Sequence, residues 1–180
     1  MLQITIPERE LWDEVNGQFL YTKPQTLQLE HSLVSISKWE SKWCKPFLSK
    51  EPKSGKELSD YIRCMTLTQN VDPNVYDFLT PQNFEDIKQY IDAPMTATTF
   101  SKLPNESPGR KIVTSELIYY WMITFNIPVE FQKWHLNRLL TLIKVCDREN
   151  APPKKMSKHD LYSRNAAVNA RNRKRFNSKG

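Results

Sequence analysis

The chain has 180 residues, 39% hydrophobic and 11% aromatic content and a formal net charge of +6, which suits one compact domain that buries a core without metal or disulfide support. No apolar run approaches the roughly 18 residues that span a bilayer, and the opening MLQITIPERE lacks a basic segment followed by an apolar one, so neither a membrane span nor an export signal is expected. The charge is uneven: Lys154 to Gly180 hold nine Lys/Arg against one Asp, a net +8 that leaves the preceding 153 residues at −2.

Residues 1–30 alternate like strands. Leu2, Ile4 and Ile6 share a face, Asn16-Gly17 supplies a tight turn before Gln18 to Tyr21, and Leu27 and Leu29 repeat the alternation. This predicts a small antiparallel N-terminal β element whose loop or edge can pair with a partner strand. From Ser32 the period becomes helical, with Leu33, Ile36, Trp39 and Trp43 about a turn apart and Pro46 ending the run. A second helix starts at the capping box Ser54-Gly55-Lys56-Glu57 with the stripe Leu58, Tyr61, Ile62 and Met65. Asp72-Pro73 and Thr80-Pro81 each offer a cap followed by a first-turn proline, the second leading a helix with Phe84, Ile87, Tyr90 and Ile91 inward.

Ser101 to Lys111, SKLPNESPGRK, has loop composition. Thr114 or Ser115 then caps a helix with Leu117, Ile118, Trp121, Met122 and Phe125, the most apolar face in the chain. After Pro128 another helix is expected to run to about Cys146, with Phe131, His135, Leu139 and Leu142 on one side, the two forming an antiparallel hairpin at the centre of the core. The body, a β element over 1–30 and helices over 31–153, stops at Pro152-Pro153. The tail over 154–180 has a capping signal at Ser157 and Asp160 and helix-favouring Ala166, Ala167 and Ala170, with few apolar positions to fix it to the body. The fold class is thus mainly α, with a basic tail that is helical or orders on binding.

Marks of catalysis are sparse. Four glycines leave no phosphate-cradling loop, and there is no CxxC, HExxH or GxSxG. No metal or cofactor is expected. His135 reads as a core residue, while His31 and Glu30 could orient each other or cap the helix start. Cys44, Cys64 and Cys146 read as buried thiols in a reducing compartment. SKWESKWCK (Ser37 to Lys45) interleaves lysines with Trp39 and Trp43, either a base-stacking or hot-spot patch or two core anchors beside a solvated face. The tail cations Arg164, Arg171, Arg173, Lys174 and Arg175 point to an acidic partner, protein or nucleic acid, or to a solvated terminus.

The strings LEHSLVSISKWESKWCKPFL (Leu29 to Leu48), DYIRCMTLTQNVDP (Asp60 to Pro73), PMTATTF (Pro94 to Phe100), SELIYYWMI (Ser115 to Ile123), WHLNRLLTLIKVC (Trp134 to Cys146) and APPKKMSK (Ala151 to Lys158) resemble tail assembly chaperones of long-tailed bacteriophages. The resemblance implies a non-enzymatic factor, in the cytoplasm of the infected bacterial host, that binds the tape measure protein and helps recruit tail tube subunits. From the charge and aromatic pattern, and not from the resemblance, the expected partner-binding residues are Arg164, Arg171, Arg173, Lys174 and Arg175, with Trp39 and Trp43 as a second, weaker patch. A nucleic-acid-binding protein using the tail, or a permanent component of the phage tail, are the alternatives.

Overall fold

The computed structural model describes residues 1–14, 17–100, 112–152 and 158–178. Asn16, the 101–111 stretch and the Ser157 capping position lie outside them. The architecture is mainly helical with a short antiparallel β element at the N-terminus.

β1 (Leu2–Ile6) pairs with β4 (Gln25–Leu29), and β2 (Arg9–Asp13) with β3 (Gln18–Thr22), both antiparallel. The two ladders share one register, with Ile6 opposite Gln25 and Arg9 opposite Thr22, which brings Pro7 level with Pro24. Neither proline has an N–H to donate, so the facing pair splits one long hairpin into two short ladders. Gly17, in the connecting turn, has φ +61, a left-handed conformation that glycine adopts without steric cost. Ile4, Ile6, Leu27 and Leu29 are buried as the alternation predicts. The β2 strand is an addition to the three segments read from sequence.

Beyond β4, the chain at Met65 to Thr68 lies along the sheet edge: Glu30 N–H donates to the Met65 carbonyl at 2.9 Å and Leu67 N–H to that of Gln28 at 2.8 Å. This covers backbone groups that would otherwise be open to another strand.

α1 (Leu33–Trp43) is capped by Ser32 and ends at Cys44, whose φ of 51 is left-handed and whose N–H returns to the Glu40 carbonyl. α1, and not the antiparallel hairpin expected over residues 115–146, occupies the centre, packing on α2 (Gly55–Met65), on α4 (Ser115–Thr124) and on a 3-10 turn at Val129–Lys133. Its buried Glu40 accepts from the Phe47 and Ser115 amides, both at 2.7 Å. The second bond sets a carboxylate at the N-terminus of α4, the positive end of that helix's dipole.

The Ser54–Glu57 box starts α2 as read, but Leu58 is exposed and Glu57 and Asp60 take the inward positions beside Tyr61. Asp72 caps a 3-10 turn, Pro73–Phe78, that buries Val75, Tyr76 and Phe78. Thr80 caps α3 (Pro81–Asp92) with Pro81 in its first turn. Phe84 is exposed, because Asn83, Ile87 and Tyr90 form the buried face and the Asn83 amide reaches the Thr5 carbonyl.

The single helix expected after Pro128 is interrupted. A 3-10 turn ends at Trp134, which is extended, and α5 (Leu136–Asn150) begins after it. At the break His135 forms a bridge with Ser32, and Leu136 N–H donates to the His31 carbonyl at 2.8 Å. The chain thus gives two residues of helix to a strand-like contact that locks α5 to the start of α1.

Met1–Asp147 form one compact unit and Arg148–Gly180 a second, the join lying near the end of α5 where the side chains of 147–150 are exposed. α6 (Lys158–Phe176) belongs to the second. The thiols depart from the expected burial: Cys44 is exposed and Cys64 and Cys146 are half-buried. Among the described residues, no helix is long and apolar enough to cross a membrane.

Candidate functional site

The lysine and tryptophan segment turns out to be a seam between α1 and α2. Trp39 is 1% exposed and its indole N–H donates to the Glu57 carbonyl at 2.9 Å. Trp43 is half-buried, with its indole N–H on an Asp60 carboxylate oxygen at 2.9 Å. Lys42 pairs with the same carboxylate, and Lys45 reaches Glu57 Oε1 at 2.7 Å. Hydrogen bonds from Lys45 and then from the Ser54 amide and hydroxyl hold the Glu57 carboxyl at about 2. Burial pushes Asp60 upward, yet the bonds from Lys42 and Trp43 prevail and keep it below the usual range. Trp39 therefore has no surface on which a base could stack, and the core-anchor reading describes its position.

The two body histidines meet in the core. Their rings lie edge to face at 5.1 Å. His31 Nδ1 pairs with the Tyr61 hydroxyl at 2.5 Å. His135 donates from Nε2 to the Tyr90 carbonyl at 2.9 Å, which leaves Nδ1 to accept from the Asn137 amide at 3.3 Å. Burial, then the neighbouring His135, drives His31 down to about 3, and burial lowers His135 despite the helpful Tyr90 carbonyl. Glu30 does not orient His31; its carboxylate accepts from the Tyr90 hydroxyl at 2.7 Å. A cavity of about 300 Å³ opens beside these groups, with Lys133, Trp134 and Arg138 on its wall. Its imidazole and carboxylate are engaged in bonds that hold the fold, and no Ser, Thr or Cys lines it.

A second cleft, of about 290 Å³, is apolar. Trp121 of α4 and Phe125 at its C-cap line it with Leu140 and Ile143 of α5, and Lys144 and Asp147 complete the lining. The cause is visible in SELIYYWMIT, a helix apolar on nearly all sides. Ile118 and Met122 enter the core, Tyr119, Trp121 and Phe125 are half-buried against it, and Tyr120 and Ile123 turn outward, 61% and 75% exposed. An all-round apolar helix at a surface is ordinarily covered by another element.

α6, taken by itself, spans 19 residues and buries none of them. It carries all five tail cations assigned from sequence, Arg164, Arg171, Arg173, Lys174 and Arg175. Asp160 in its first turn and the three cations in its last complement the helix dipole. Only Leu161, Tyr162, Val168 and Phe176 are large apolar residues here, all exposed.

A third surface was missed in the sequence reading. On one face of the β2–β3 hairpin, Trp12 and Phe19 form an exposed edge-to-face pair at 4.9 Å, with Tyr21 beside them. The signal was the alternation in Arg9 to Asp13, which mirrors Gln18 to Thr22 across the turn. Among the described residues, no group of three or more His, Cys, Asp or Glu is placed to hold a metal ion. No family model matches the chain, and no curated protein or solved structure does so either.

Proposed function

We propose that the protein is a non-enzymatic tail assembly chaperone of a long-tailed bacteriophage, acting in the infected host's cytoplasm to bind the tape measure protein and help recruit tail tube subunits. The observation that carries this reading is the apolar cleft between α4 and α5, with Trp121, Phe125, Leu140 and Ile143 on its walls. A long helical client can lay one apolar face against such a cleft at helical spacing. The resemblance of the strings to that family points to the tape measure protein as the client, and the cleft offers a place for it. α6 adds a cationic surface for an acidic partner.

The test is a nuclease-treated pull-down from cells that co-express the neighbouring tail proteins. The wild-type chain should retain the tape measure protein, and Leu140→Glu, with its fold checked by circular dichroism, should reduce recovery about tenfold or more by placing a charge in the cleft. Equal recovery by the folded variant would overturn the role of the cleft. A protein found at fixed copy number in purified virions would instead be a permanent tail component.

A further inference from the structure

Four of the six described cations of α6 are arginines, against five of the 17 cations in residues 1–153. Guanidinium suits phosphate better than ammonium does, through its flat two-pronged donor set. Charge alone is silent on the partner, but the rest of the helix is specific. At about 100° per residue, Leu161, Val168, Asn165, Asn169 and Asn172 fall in one sector, which Lys158 and Phe176 enter only at the two ends of the helix. Arg164, Arg171 and Arg175, at spacings of seven and four, border that sector on one side, and Tyr162 and Arg173 border it on the other. All of these side chains are exposed. The one acidic residue of the helix, Asp160, sits in the first turn, away from the cationic end.

We propose that α6 is a major-groove reader of duplex DNA, with the asparagine and aliphatic sector toward the base edges and the two cationic borders toward the flanking phosphates. The major groove of B-form DNA admits an α-helix, asparagine amides can bond both N6 and N7 of adenine, and aliphatic groups contact the thymine methyl. The surface therefore fits A·T-rich duplex. An acidic protein face would match the arginines but gives no reason for three asparagines between two cationic borders. The A-form groove of duplex RNA is too deep and narrow for the side chains to read. This second ligand is independent of client capture by the α4–α5 cleft, since it uses none of the same residues.

Fluorescence anisotropy of the full chain on labelled duplexes of about two helical turns tests the assignment. Wild type should prefer an A·T-rich over a G·C-rich duplex by about tenfold or more. Its affinity should fall with salt at a log–log slope of about −4, from four or so phosphate contacts. Arg164→Gln, Arg171→Gln and Arg175→Gln together should flatten that slope by about 3 units. Asn165→Ala, Asn169→Ala and Asn172→Ala together should preserve the slope and abolish the A·T preference; both sets replace exposed residues with good helix formers. Four outcomes would each overturn the proposal. These are no saturable binding at about 50 mM salt, equal affinity for duplex RNA, equal affinity for polyglutamate, or an A·T preference that survives the asparagine changes.

Discussion

His31 takes up a proton in the fold only near pH 3, whereas a histidine in the unfolded chain does so near pH 6.5. Between those values the unfolded state holds the extra proton, so stability falls as pH falls, by at most about 1.4 kcal/mol per pH unit for one such group. His135, also lowered, acts in the same direction. Above about pH 7 both imidazoles are largely neutral in both states and the profile is level. Glu57, held at about 2 by Lys45 and Ser54, stabilises the fold at every pH above its unfolded value near 4.5 and loses that contribution only below it. The urea midpoint should therefore be flat from about pH 8 to 7 and drop between about pH 6 and 5, before the carboxylate matters. A midpoint that stays level to pH 5 would mean that the imidazoles accept protons in the fold. The core position of His135 was legible from its apolar helical neighbours. The partners of His31 were not, because Tyr61 and His135 come from distant segments.

At the scale of elements, caps and turns were the most legible features. Ser54, Thr80 and Asp72 cap as read, and Thr114 takes the cap that the sequence left open between it and Ser115, since a side chain bonding two or three residues ahead is a local event. Inward faces were less so. Leu58 and Phe84 are exposed while Asp60 and Asn83 face in, because the neighbouring elements offered hydrogen-bond partners at those positions and no periodicity reports that. The hairpin gives an element-scale prediction. Trp12 and Phe19 are 54% and 70% exposed, so each should lose little stability on truncation to alanine, yet they should couple by about 0.5–1 kcal/mol in a double-mutant cycle read by urea unfolding. Zero coupling would remove the aromatic pair as a feature of the hairpin. That pair, like Tyr120 and Ile123 on α4, is apolar surface without a cover among the described residues.

At the scale of the molecule, charge and burial separate along the chain. α6 contributes nothing to the hydrophobic core, so a chain ending at Pro152 should unfold within about 0.5 kcal/mol of the full protein in urea, while its net charge changes from +6 to −2. A larger loss would show that the second unit supports the first. The sequence by itself determined the fold class, the N-terminal alternation, the caps and the basic helix, because each follows from spacing or composition within a few turns of chain. Tertiary structure decided the rest. It set Trp39 in the core and tied Lys42 and Lys45 to α2, it broke the expected helix at Trp134 and His135, and it made α1 the centre of packing. It also left the faces of α4 unequal, burying Ile118 and Met122 and leaving Trp121 and Phe125 to line a cleft. The physical reason is common to all of these. An apolar or charged side chain can be satisfied by several neighbours, and which neighbour arrives is settled by contacts between segments far apart in sequence.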